Sequence, residues 1–250
     1  MKTKIYIAVH KKVKMLEAKG YYPIQVGAAF NSDLGYIKDS DGEDNISEKN
    51  PNFCELTALY YLWKNEKNCD YIGLTHYRRY FFSSVLSFIM KKVVSTKKIE
   101  KYLEKYDIIL PTPRYFEGKT VREHFEYNHP IEPLEECKKI ISEDFPDYLS
   151  AFEQVETAKY LYPYNMFIMS KQNFDDYMEW LFAILFKLES YLDMSQYDAY
   201  NKRMYGFLSE RLLDVWVIKN NYRIKEMAVF NTELSRKNQI VDELKRKKYD

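Results

Sequence analysis

The sequence predicts an α/β fold, a single domain whose mainly parallel sheet is flanked by helices. Two observations carry this expectation. Short β-branched runs alternate with amphipathic helical segments along the chain, the pattern of a sheet covered by its connecting helices. The chain also has 250 residues, 46% of them hydrophobic, which suits one large domain with a sizeable core, or that domain with a small subdomain.

The elements follow in order. Residues 4–9 (KIYIAV) read as a buried first strand. Residues 22–30 (YPIQVGAAF) are a second extended stretch, in which Gly27 permits close backbone approach. Residues 31–52 form a long polar loop, and loops of that length inside a compact domain usually carry function. Asn52 caps a helix over 53–65, with Leu56, Leu59, Tyr60 and Trp63 on its apolar stripe. Residues 71–75 (YIGLT) form a short buried strand that ends in His76-Tyr77-Arg78-Arg79. An apolar stretch over 81–94 and a charged helix over 97–105 precede a strand at 107–110, which Pro111 and Pro113 stop. Helices are expected over 134–142 and 148–160, a strand over 165–169, helices over 174–192 and 207–219, and a closing strand over 222–230. The folded domain is read as 1–234, and 235–250 as a basic, frayed tail.

Composition excludes several classes. The formal net charge is +1, which argues against nucleic acid held through bulk charge. Cys54, Cys69 and Cys137 are odd in number and form no CxxC pair. Neither a disulfide framework nor a zinc site is expected, and a reducing, cytoplasmic setting is. The N-terminus lacks the apolar core and cleavage site of a signal peptide, and no stretch is long enough to span a membrane. Aromatic residues reach 17%, with 24 Tyr. Flat rings bearing a hydroxyl suit sugars and nucleobases, although an AT-rich coding sequence would enrich Tyr as well.

The strongest local signal is Thr75-His76-Tyr77-Arg78-Arg79-Tyr80. Adjacent arginines at the carboxyl end of a buried strand are costly without an anionic partner, and guanidinium forks match phosphate oxygens. Arg78 and Arg79 are therefore candidates for an anion site. The alternative is ion pairs with the acidic loop over 39–44.

Residues 44–50 (DNISEKN), 54–60 (CELTALY), 63–65 (WKN) and 73–81 (GLTHYRRYF) together resemble the DUF4422 family of bacterial capsular and exopolysaccharide biosynthesis proteins. Residues 164–169 (YNMFIM), 179–182 (EWLF) and 205–213 (YGFLSERLL) extend the likeness to about 4–230. Members of that family are regarded as glycosyltransferases, some of them for galactose or galactofuranose. The resemblance implies a GT-A-like fold and a hexosyltransferase that uses a UDP-sugar donor and a surface polysaccharide or lipid-linked glycan acceptor. In most GT-A enzymes the corresponding strand ends in Asp-x-Asp, which holds a divalent metal on the donor diphosphate. This chain departs from that pattern with His76-Tyr77-Arg78. Two guanidinium groups would neutralise the leaving diphosphate as a metal does, so transfer without a metal cofactor is expected. A metal such as manganese, held by His76 and a distant carboxylate, is the competing arrangement.

Within that frame the candidate donor residues are His10, Lys11, Gln25, Gly27, Asp44, Asn45, Lys49, Asn50, His76, Arg78 and Arg79. His10 and Lys11 stand at the carboxyl end of the first strand, where open α/β sheets bind ligands. Lys11 also reads as a solvated charge beside Lys12 and Lys14. Gln25 and Gly27 would shape the same pocket. Asp44, Asn45, Lys49 and Asn50 offer hydrogen bonds to ribose or phosphate, or belong to a loop that caps the next helix. Glu55 is accounted for by the helix dipole alone. Glu210 is the candidate catalytic base, because it adjoins an apolar helical face of Leu212, Leu213 and Trp216, where a carboxylate pKa rises. The other reading is an ion pair with Arg203 or Arg211. His124, His129, Tyr164 and Asn165 are candidates for contacting the acceptor. Residues 81–94 with Lys97, Lys98 and Lys101 read as an apolar stripe docking on the inner face of a membrane, or as a buried helix with a solvated basic edge. The rival function is a non-catalytic nucleotide- or glycan-binding module of a polysaccharide assembly complex.

Overall fold

The computed structural model describes residues 1–235 and 237–241. Its strands are β1 (Thr3–Val9), β2 (Tyr21–Gln25), β3 (Ile37–Lys38), β4 (Tyr71–His76), β5 (Arg79–Phe82), β6 (Ile108–Pro111), β7 (Arg114–Tyr115), β8 (Tyr160–Leu161), β9 (Phe167–Ser170) and β10 (Ile224–Asn231). Its α-helices are α1 (Asn50–Phe53), α2 (Leu56–Asn65), α3 (Val85–Ile89), α4 (Thr96–Leu103), α5 (Val121–Asn128), α6 (Glu132–Asp144), α7 (Leu149–Thr157), α8 (Lys171–Glu189) and α9 (Met204–Lys219). Strands β7 and β8 form a separate ribbon, and the other eight share one sheet.

The fold is α/β, but its sheet is mixed where a mainly parallel one was expected. β3, β2, β1 and β4 run parallel in that order. β9 then lies antiparallel between β4 and β6, while β10 is parallel to β6 and antiparallel to β5. β5 turns back from β4 after only Tyr77 and Arg78, so that His76 faces Arg79. A connection this short permits only antiparallel neighbours. The pairings from β4 through β9, β6, β10 and β5 thus return to β4. Gly73 makes the β4–β9 approach possible, since a Cβ there would stand 2.7 Å from the Phe167 carbonyl oxygen.

The period of two along each strand sorts the core onto the two faces of the sheet. Tyr6 and Ala8 of β1, Ile72 and Leu74 of β4, and Phe167 and Met169 of β9 face one cluster, with α2 and α5–α9. Ile5, Ile7 and Val9 of β1 and Ile168 of β9 face the other, with Tyr80, Phe81, Phe88 and Ile99. α9 is apolar nearly all round, burying Leu208, Leu212, Leu213, Val215 and Trp216, so its polar residues are carried into the interior.

Several local expectations are corrected. The second strand ends at Gln25, because Gly27 (φ 63°) turns the chain into a 3-10 turn at Ala28–Phe30. The helix expected over 53–65 is broken by Cys54 (φ 52°, ψ −130°) into α1 and α2. Asn52 lies inside α1 and donates to the Lys202 carbonyl instead of capping. The stretch 81–94 divides into β5 and the short α3. The stretch that carries His124 is helical, as α5, opened by a Thr120–Glu123 capping box. No helix among the described residues is long and apolar enough to cross a membrane. Residues 237–241 are helical, and residues 236 and 242–250 of the expected basic tail lie outside the described residues.

Candidate active site

β1 has β2 on one side and β4 on the other, and the chain crosses between those sides through α1 and α2. Such a reversal opens a crevice outside the carboxyl ends of the strands. A cavity of about 560 Å³ lies at that point. The size is ordinary for a ligand pocket. His10 reaches it from the end of β1, and His76 to Arg79 from the β4–β5 turn. Asn50, Cys54 and Glu55 come from α1 and the break after it, Tyr164 from the approach to β9, and Arg203 and Glu210 from the start of α9.

Three arginines line the cleft. The Arg79 guanidinium lies over the Tyr164 ring at 4.4 Å and makes no ion pair among the described residues. Arg78 meets Glu233 at 3.5 Å, an exposed pair of little energetic weight. Arg203 donates from Nε to Cys54 Sγ at 3.3 Å and likewise has no carboxylate partner among the described residues. Burial, and then the charges of Lys11, Arg78 and Arg203, hold His10 below the usual imidazole range. Burial with Glu55 nearby pushes the Cys54 thiol up to about 11, so it stays protonated at neutral pH.

Two carboxylates, Glu55 and Glu210, share the lining, and both are gripped by one turn. Tyr164 (φ 80°) and Asn165 (φ 50°) adopt left-handed backbone. The Tyr164 N–H donates to Glu210 Oε1 at 2.8 Å, and Asn165 Nδ2 donates to Glu55 Oε1 at 2.8 Å and to the Gly206 carbonyl at 3.1 Å. The Tyr164 carbonyl accepts from His76 Nε2 at 2.8 Å, which fixes the hydrogen on that nitrogen. Burial raises the Glu210 pKa, and Glu55 adds to the rise, against the pull of Arg211. Glu210 Oε2 stands 3.4 Å from Arg211 Nη1, so the ion-pair reading of this residue also holds in part.

Of the residues singled out from the sequence, His10, Asn50, His76, Arg78, Arg79, Tyr164 and Glu210 line the cleft. Asn165 stands directly behind it. Gly27 supports the wall: a Cβ on it would come within 2.5 Å of Asn50 Oδ1. The rest have other partners. Lys11 lies over the Tyr77 ring at 5.3 Å, outside the cleft lining. Gln25 is fully buried, donating to the Ser32 carbonyl and accepting from Leu34 N–H, so it braces a loop. Asp44 accepts from Tyr60, Asn45 closes a turn on Gly42 and Ser47, and Lys49 pairs with Glu189. His124 stacks on Phe116 at 3.8 Å, and burial pulls its pKa down to about 4. His129 is buried against Phe207 and bonds Asn201. Neither histidine lines the cleft. The acidic loop does not pair with Arg78 or Arg79; its Asp39 is fully buried and accepts from Gly27 N, Ala28 N, Ser47 and Thr57.

Arg203 and Glu55 are the site residues that sequence reasoning passed over. Arg203 stands seven positions before Glu210, the same face of a helix, which is the signal that finds it. Glu55 was visible, but its position in the cleft depends on the Cys54 break, which no propensity announces. Among the described residues, no group of three or more His, Cys, Asp or Glu side chains is arranged to hold a metal ion.

A search of the curated proteins finds no match. Among solved structures, the apo structure of the bifunctional glycosyltransferase WbbM is similar, with a TM-score of 0.84 and 32% sequence identity. The similarity covers 93% of this chain and 46% of that one, so this chain spans about half the length of its structural relative. The family model described as a domain of unknown function, DUF4422, matches residues 4–221, and the chain belongs to that family.

Proposed function

We propose that this chain is a GT-A-like glycosyltransferase that moves a hexosyl group, galactose or galactofuranose, from a UDP-sugar to a surface polysaccharide or lipid-linked glycan. The observation that carries the reading is the meeting of three arginines and two carboxylates in one switch-point cleft. Arg78, Arg79 and Arg203 supply fixed positive charge suited to a diphosphate. Glu210 and Glu55, in the same lining, supply carboxylates for the acceptor hydroxyl. The likeness to a bifunctional glycosyltransferase at 32% identity supports the same reading.

In the inverting form of the reaction, the bond from the anomeric carbon to the diphosphate breaks and its electron pair leaves with UDP. The arginines stabilise that charge. The acceptor oxygen forms the new bond to the anomeric carbon, and its proton passes to the Glu210 carboxylate. Because the arginines neutralise the leaving group, the reaction is proposed to run without a divalent metal.

Thermal shift tests this directly, since a ligand that binds the native state raises the melting temperature. UDP in the presence of a chelator is expected to stabilise the protein as well as UDP with manganese does. Stabilisation seen only with manganese overturns the metal-independent reading. Slow hydrolysis of a UDP-sugar without acceptor separates an enzyme from a binding module, which would leave the donor intact.

A further inference from the structure

The strongest exposed feature outside the cleft is α3 with the turn that follows it. Phe88 anchors the helix inward, 4% exposed and stacked on Phe230 at 4.1 Å, with Val85 partly buried against the same cluster. Leu86, Ile89 and Met90 are 64%, 46% and 51% exposed. Folding gives no reason to hold three large apolar side chains together in water. The segment is also well braced. Ser84 and Ser87 form a capping box, and Lys91 (φ 54°) closes the end of the helix with its N–H on the Phe88 carbonyl. The apolar tip is therefore presented on a built support.

Charge surrounds that tip. Lys91, Lys92, Lys97 and Lys98 are exposed, and none makes an ion pair among the described residues. No Asp or Glu occurs between Arg78 and Ile99, although the whole chain has a net charge of only +1. The loop over 11–20 packs Val13, Met15 and Leu16 against the same core cluster as Phe88 and leaves Lys12, Lys14 and Lys19 exposed, with Glu17 as its one exposed acid. An apolar tip flanked by cations matches a bilayer interface that carries negative headgroups.

We propose that α3 and its flanking lysines form a docking site for an anionic lipid surface, with Leu86, Ile89 and Met90 entering the interface and Lys91, Lys92, Lys97 and Lys98 on the headgroups. β5 runs from Arg79, at the cleft, to this tip, antiparallel to β4, so one short strand separates the docking surface from the cationic residues of the cleft. The inference rests on the proposed function only for why such a location is useful, namely a lipid-linked acceptor; the surface stands on its own exposure and charge.

The test is co-sedimentation of the full chain with vesicles of phosphatidylglycerol and phosphatidylethanolamine, against vesicles of phosphatidylcholine alone. Binding to the anionic vesicles, weakened by salt, is the expected result. Leu86→Ser/Ile89→Ser/Met90→Ser is expected to weaken binding at least tenfold. Lys91→Glu/Lys92→Glu is expected to weaken it by about fivefold or more per lysine. The UDP-induced thermal shift is expected to stay at the wild-type value in both variants, which shows that they fold and separates this test from that of the cleft. Equal binding to both vesicle types, no binding to either, or wild-type binding by the triple serine variant overturns the proposal. So does a wild-type dimer in lipid-free solution that the triple variant abolishes, because the patch would then cover a second copy.

Discussion

Glu210→Gln tests the centre of the proposed chemistry, and the structure sets what each outcome means. The amide oxygen can keep the bond that Glu210 Oε1 accepts from the Tyr164 N–H at 2.8 Å. The turn that also holds Glu55 should therefore stay in place, and donor affinity with it. The new NH₂ would stand where Oε2 lies, 3.4 Å from Arg211 Nη1, so a charge pairing is lost, but the burial cost of the ionised carboxylate goes with it, and a net stability change of no more than about 1 kcal/mol is expected. What the amide cannot do is take a proton. Loss of a general base lowers turnover by about a hundredfold or more, which is at least about 2.7 kcal/mol on the barrier. Two pH signs follow from the raised pKa of Glu210, whose usual value is 4.5. Activity should rise with pH through that raised value, because the base must be ionised. Stability should fall over the same window, from the usual value up to the raised one, because there the folded state binds more proton than the unfolded state. The glutamine variant should lack both limbs. Turnover on a UDP-sugar, a pH–rate profile and urea melts at several pH values measure these. Near-normal turnover refutes Glu210 as the base, and Glu55→Gln then becomes the next variant, since Glu55 is the other carboxylate that lines the cleft. Determining the anomeric configuration of the product by NMR on the same sample separates a wrong base from a retaining reaction that needs none.

Arg79→Ala should weaken UDP binding about tenfold to a hundredfold, the weight of charge-assisted hydrogen bonds to one guanidinium, while the free protein loses no more than about 1 kcal/mol with its stacking on Tyr164. Calorimetry with UDP and a urea melt check both, and unchanged affinity with marked unfolding would make the residue structural. Asp39→Ala should do the opposite, because it strands the Gly27 and Ala28 N–H groups and the Ser47 hydroxyl, leaving the Thr57 hydroxyl only the Cys54 carbonyl. A loss of about 3 kcal/mol or more is expected in a urea melt, and a loss under about 1 kcal/mol would contradict that role.

The alternation of strands and helices was readable because each buried strand is a short apolar run between polar breaks. The parallel or antiparallel sense of the pairs was less so, because it depends on partners distant in sequence. One pair is an exception: the strand at 71–75 is followed by Arg79–Phe82 after so few residues that a hairpin was implied. It was missed because the apolar run from Phe81 read as one long element. The Cys54 break escaped notice for a related reason. Residues 53–65 keep an apolar stripe throughout, and a single residue with positive φ leaves no mark on that pattern.

The cleft shows which half of a site local sequence can announce. Arg78 and Arg79 stood out because two cations at a strand end are unusual whatever surrounds them. Asn45, Lys49 and Gln25 looked equally suited to a ligand, yet each found a protein partner within the fold. Hydrogen-bonding capacity is visible in a sequence, but whether the protein itself satisfies it is decided by packing. The Tyr164–Asn165 turn makes the point from the other side. Its backbone N–H, its carbonyl and one amide group tie Glu210, His76 and Glu55 together. Two of those three links are main-chain atoms, which every residue has, so the side-chain pattern alone did not distinguish this turn as the place where both carboxylates are held. Its two left-handed residues hold a conformation that residues with a Cβ adopt at a cost, and the surrounding bonds offset it. Replacing Asn165 would thus act on Glu55 and on the backbone geometry that positions Glu210, so its effect on turnover should exceed its effect on donor binding.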